Sequence, residues 1–164
     1  MIDGVGVGVL INRLDGNRET VDTHTAMVGK VIERVYMESD VLHFVFADGY
    51  RAKAWDDGQS CCENRYMMTD DNLDDFAGAT LLGLELREGS TTEDEYETHE
   101  TQFLLVNTSI GTFTMCTHNE HNGYYGGFAV ELREEADRPR RCGARDPRVA
   151  AFHRPGRAVV EAAY

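Results

Sequence analysis

At 164 residues, with 41% hydrophobic and 27% charged residues, the chain fits one globular domain able to build a core without covalent staples. No apolar run approaches the roughly 20 residues of a membrane-spanning helix, and Met1-Ile2-Asp3-Gly4 lacks the basic start of a signal peptide. The net charge of −13 is uneven, with 8 Lys/Arg against 24 Asp/Glu in residues 1–132 and 8 Arg against 5 acids in residues 133–164, which argues against general binding to nucleic-acid backbones.

Four cysteines are too few for a disulfide scaffold, and adjacent Cys61 and Cys62 would strain a mutual bridge. Free thiols in a reducing, cytoplasmic setting follow.

Residues 5–11, Val-Gly-Val-Gly-Val-Leu-Ile, suit an edge strand diluted by glycine, and 12–25 is polar and predicts loop. A pattern then begins at Gly29 with Val31, Ile32 and Val35. It continues through alternating Leu42, Phe44 and Phe46, turns at Ala47-Asp48-Gly49, and resumes from Tyr50 to Trp55. A similar pattern begins at Gly78 with Leu81, Leu82, Leu84 and Leu86. It passes through Phe103 to Val106, turns at 107–111, and resumes at Thr112-Phe113-Thr114. The fold class is therefore mainly β: two antiparallel three-strand meander units, either an internal duplication or two unrelated meanders.

Between the units, residues 69–78 predict a short helix, with Thr69 as its cap, Leu73 and Phe76 on one face and Gly78 at its end. The acidic stretch 88–100 predicts a solvated loop that could serve as a lid. After Leu132 the composition changes. An arginine-bearing tail, 133–164, contains a predicted short helix from Asp146-Pro147. The organisation is an N-terminal extension (1–27), a β-rich core (28–132) and that tail, which could dock on a second copy of the chain.

Two polar segments close the two units. The first runs from Asp56 to Tyr66, and the second from His118 to Phe128, with two imidazoles, two amides, two phenols and three glycines. Brought to one rim, they would form a pocket of few polar groups on an apolar frame. The candidate ligand-binding residues are Trp55, Asp57, Gln59, Arg65, Tyr66, His118, Asn119, His121, Asn122, Tyr124 and Tyr125. Tyr124, Tyr125 and Trp55 offer stacking faces. Arg65 offers a fork for phosphate or carboxylate, and Asn119 and Asn122 offer amide edges. The plain alternative is a structural turn, since Asn-Gly and Gly-Gly are turn formers.

Cys61, Cys62, Cys116 and His118 are weaker candidates for zinc, at spacings that depart from the usual ligand patterns. A thiol enzyme using Cys62 with His118 or His121 is a third option, although no nucleophile-elbow, P-loop or dinucleotide spacing occurs. The residues lean away from an enzyme, and they call for no cofactor.

Two stretches, Asp56-Asp57-Gly58-Gln59-Ser60-Cys61-Cys62-Glu63 and Asn119-Glu120-His121-Asn122-Gly123-Tyr124-Tyr125-Gly126-Gly127-Phe128, carry a resemblance. With Arg65-Tyr66-Met67, Thr69-Asp70-Asp71, Phe103-Leu104 and Gly111-Thr112-Phe113-Thr114, they resemble an uncharacterised family of small bacteriophage and bacterial proteins, a domain of unknown function. The similarity covers about residues 28–132. The resemblance implies a phage setting and no known activity. Within that setting the leading expectation is a non-catalytic protein that binds a small molecule, a nucleotide-derived host immune signal sequestered as counter-defence in the host cytoplasm. The alternatives are a protein-interaction or virion component, and a thiol- or zinc-dependent enzyme.

Overall fold

A computed structural model describes residues 18–124 and 126–136. The 5–11 strand, Tyr125 and the helix predicted after Asp146 lie outside these residues. The chain runs α1 (Arg18–Met27), β1 (Ile32–Glu38), β2 (Val41–Phe46), β3 (Arg51–Asp56), β4 (Glu63–Met68), a single 3-10 turn (Leu73–Phe76), β5 (Leu81–Glu93), β6 (Thr98–Thr108), β7 (Gly111–His121) and β8 (Val130–Glu134).

Both meanders form where the alternation places them. β1-β2-β3 and β5-β6-β7 are antiparallel, and each gains a fourth strand, so the sheets read β1-β2-β3-β8 and β4-β7-β6-β5. Asp48-Gly49 makes the β2–β3 turn, Gly49 taking φ +89° while Asp48 Oδ1 accepts the Tyr50 N–H at 3.0 Å. The sheets pack on one shared core. Phe44, Phe46, Leu42 and Val35 come from the first, Leu84, Leu104, Val106, Phe113 and Met115 from the second. Along one margin they are stitched together, Leu81 N–H donating to Lys30 C=O and Ile32 N–H to Ala79 C=O.

Four expectations are corrected. Residues 18–25 are helical, not loop: α1 turns Thr20, Thr23, His24 and Met27 inward. This helix covers the edge strands of both sheets. Thr20 Oγ1 accepts the β8 N–H of Leu132 at 3.2 Å, and His24 Nε2 accepts the β5 N–H of Leu84 at 3.3 Å. Two edge donors that would otherwise lie buried and unpaired are thus satisfied. Second, the predicted helix over 69–78 is one 3-10 turn starting after Asn72, and Thr69 instead accepts the Asp71 N–H. Third, much of the acidic stretch 88–100 is strand, with β5 running to Glu93 and β6 starting at Thr98. Fourth, the segment from Glu63 is strand β4, not a rim loop. No described helix is long and apolar enough to cross a membrane.

Candidate functional site

The two polar segments meet as paired strands. Glu63 lies opposite His121, Asn64 opposite Glu120, Arg65 opposite Asn119 and Tyr66 opposite His118. Strand alternation then divides them between faces. Glu63, Arg65, Asn119 and His121 point between the sheets, while Asn64, Tyr66, His118 and Glu120 point outward.

The inward set is closed on itself. Arg65 Nη1 donates to both oxygens of Asp56 at 3.0 Å, and its Nε and Nη2 reach Glu63 at 3.2 and 2.9 Å. The Arg65 side chain is 7% exposed, those of Asp56 and Glu63 4% and 1%. The Arg65 guanidinium holds the Glu63 carboxyl below its ordinary range. Burial opposes the charge on Arg65, but Glu63 and Asp56 outweigh it and raise its pKa. Asp56 also accepts the N–H groups of Gly58 and Ala129. Asn119 Nδ2 donates to Gly127 C=O at 3.1 Å, and Gly127 N–H donates to Glu100 at 2.7 Å. His121 Nε2 stands 3.4 Å from the same Glu100 oxygen but out of line for a hydrogen bond. The cluster fastens residues 126–129 across the end of the sandwich. Arg65 is therefore committed to two carboxylates of its own chain, and the expectation that it meets a ligand anion is corrected.

The outward set is different. Tyr66 and His118 stack with centroids 4.5 Å apart and planes within 8°. His118 Nδ1 lies 2.8 Å from His99 Nε2, the two rings inclined by 22°. One proton fits between those nitrogens, so the pair cannot hold two charges facing each other. Burial, with the neighbouring His99, lowers the His118 pKa against the opposing pull of Glu120. Glu120 accepts from Asn64 Nδ2 at 2.9 Å and the Tyr66 hydroxyl at 3.0 Å. The Asn64 bond leads in holding its carboxyl low, and burial with Glu120 raises the Tyr66 phenol.

This polar row ends at a recess of about 500 Å³ with His118, Cys116, Phe103 and Met68 in its lining. One wall is fixed by Thr69 Oγ1 donating to Thr114 C=O and Thr114 N–H donating to Asp71 Oδ2, both at 2.7 Å. His99, Phe103 and Glu120 were not among the sequence candidates. Their signal was period two, since His99, Thr101 and Phe103 alternate along β6 as Cys116, His118 and Glu120 do along β7.

The remaining candidates lie elsewhere. Trp55 faces outward from the other sheet, its indole N–H donating to Asp57 at 3.1 Å. Gln59 ties its loop to β4, its Oε1 accepting the Arg65 N–H. Asn122 makes a local turn by accepting the Tyr124 N–H at 3.2 Å, with the Tyr124 side chain exposed. Cys61 and Cys62 stand before β4, whereas Cys116 pairs with Met68 at its far end, so the roughly 17 Å length of β4 lies between them. Among the described residues no group of three His, Cys, Asp or Glu could hold a metal ion. A hydrogen bond with Cys61 raises the Cys62 thiol pKa, and burial raises that of Cys116, so neither is poised as a thiolate.

No curated protein and no solved structure matches the chain. A family model, described as Domain of unknown function (DUF7448), matches residues 25–130. This span takes in the end of α1, β1 to β7 and the first residue of β8. The chain belongs to that family of domains of unknown function.

Proposed function

We propose that the protein is a non-catalytic binding module that takes a small planar ligand in the recess on the outer face of the β4-β7-β6-β5 sheet. The edge of His118, held between the Tyr66 and His99 rings and opening on a recess of about 500 Å³, carries this reading, for it sets a fixed hydrogen-bonding edge beside apolar wall. The volume falls within the range of small-molecule pockets, roughly 300 to 1,000 Å³. Phe103 and Met68 supply contact surface, and His118, whose Nδ1 is taken up by His99, supplies its Nε2.

The charged groups select among ligands. Asp70 and Asp71 line the recess and Glu120 stands behind it, with no Lys or Arg among the described lining residues. A neutral or cationic ring is favoured over a bare phosphate. For a nucleotide-derived molecule, the base or nucleoside end enters and the phosphates remain in solvent. Sequestration of such a signal during phage infection is the biological form of this proposal, and it requires no chemistry from the protein.

Native mass spectrometry of the protein incubated with adenosine, cytidine and guanosine, and separately with infected-cell extract, tests it. A one-to-one adduct whose ligand returns unaltered after heating is expected. Adduct formation should be lost in Phe103→Ala and His118→Ala while Trp55→Phe retains it. A ligand returned in altered form would make the protein an enzyme, and equal adduct in all three variants would place binding away from this recess.

A further inference from the structure

We propose that the outer face of the opposite sheet, β1-β2-β3-β8, is a docking surface for single-stranded oligonucleotide. It is distinct from the recess and does not depend on it. The register sets Tyr36 opposite His43, His43 opposite Lys53, and Lys53 opposite Arg133, a row crossing all four strands. Strands about 4.8 Å apart make that row roughly 14 Å long. Tyr36 and His43 stack at 4.9 Å with planes within 10°. Arg34 lies 4.3 Å over the Tyr36 ring, and Lys53 and Arg133 lie 4.9 and 5.5 Å from the Trp55 ring centre. Half-buried rings and cations lie side by side across an open sheet.

The charge distribution singles this face out. Arg34, Arg51, Lys53 and Arg133 are four of the eight Lys/Arg among the described residues, set beside four carboxylates, Glu38, Asp57, Glu131 and Glu135. Three of those are partnered on the face itself, Glu131 with Arg133 at 2.6 Å, Glu135 with His43 at 3.2 Å and Asp57 with the Trp55 indole at 3.1 Å. The other four described cations share the remaining surface and interior with 20 acids. Total charge, from which no general nucleic-acid binding is expected, averages over this segregation. An acidic remainder repels a polyanion everywhere except here, which orients an incoming strand.

The shape favours a strand over a small molecule. The recess on this face, lined by Tyr36, His43, Arg51 and Glu135, holds about 210 Å³, below the usual range for ligand pockets. Stacking on successive rings with cations along the backbone is how single strands are held without sequence preference.

Trp55 is the single tryptophan of the chain, so its selectively excited tryptophan emission reports on this face alone. Titration with an oligothymidylate of about twelve nucleotides should quench Trp55 and raise the anisotropy of a labelled strand. The affinity should fall steeply between about 50 and 200 mM salt. A Lys53→Glu, Arg133→Glu double variant should weaken binding about tenfold or more and flatten the salt dependence. A circular dichroism spectrum matching the parent would show that the variant is folded. Should the variant misfold, Lys53→Gln alone is read instead, with a shallower salt slope expected. No quenching and no anisotropy change at the lowest salt would overturn the proposal. So would binding undiminished in the variants, or binding of an acidic peptide with equal affinity and equal quenching.

Discussion

Gly58 lies against the Arg65 guanidinium so closely that a Cβ at this position would stand 2.3 Å from Nη1 and 2.7 Å from Cζ. The guanidinium cannot yield, because Asp56 and Glu63 hold it on two sides. Gly58→Ala should destabilise the fold by about 1–3 kcal/mol, the usual cost of overpacking. Arg65→Met should cost more, roughly 3–5 kcal/mol, since it strands two buried carboxylates. Urea melts at pH 7 give both values. An Arg65→Met protein as stable as the parent would show that the clamp holds nothing together.

His24 predicts a pH dependence at the opposite margin. Its Nε2 lone pair takes the Leu84 N–H, and burial lowers its pKa below 6.5. The unfolded chain therefore binds this proton first, and stability falls as pH drops from about 6.5 toward the folded value, where the loss levels off. His24→Gln keeps an acceptor and should flatten that slope, whereas His24→Leu orphans the N–H and should cost about 1–3 kcal/mol at pH 7.5. Denaturation midpoints at pH 7.5 and 5.5 check all three proteins.

The Glu120 carboxyl titrates in the other sense. Held low by Asn64, then Tyr66, His99 and His118, it contributes stability that is present above its ordinary pKa and lost as pH falls through its folded one. Tyr66→Phe removes one charge-assisted bond, at roughly 1.5–3 kcal/mol, and should move the Glu120 titration upward. Carboxyl carbon shifts followed by NMR measure that movement directly.

Thiol reactivity tests the loop before β4. Cys61 and Cys62 are exposed and Cys116 is half-buried, so alkylation should mark the pair before Cys116. Cys61→Ala removes the hydrogen bond that raises the Cys62 pKa. Cys62 should then alkylate faster at pH 8, as peptide mass mapping would show.

The fold was legible wherever burial and hydrophobicity coincide. Leu42, Phe44 and Phe46 alternate and are fully buried, and β5 to β7 follow the same logic. Legibility failed where the interior is polar. Three of the four inward residues of α1 are Thr20, Thr23 and His24, used to satisfy strand edges, so hydrophobic periodicity had nothing to register; only the spacing 20, 23, 24, 27 betrays the helix. β4 reads as loop because its inward residues include Glu63 and Arg65 while Met68 faces solvent, an inverted pattern. The meeting of the Glu63–Tyr66 and His118–His121 segments was foreseen, but not their division between two faces. That division turns on one-residue alternation, which composition alone does not convey.

The most direct test of the recess is an NMR titration of isotope-labelled protein with adenosine, reading the imidazole and amide signals of both sheets. The account predicts saturable shifts at Tyr66, Phe103, Cys116 and His118 with Tyr36, Lys53 and Trp55 unmoved. Shifts confined to the β1-β2-β3-β8 face, or none at any nucleoside concentration for any of the three bases, would contradict it.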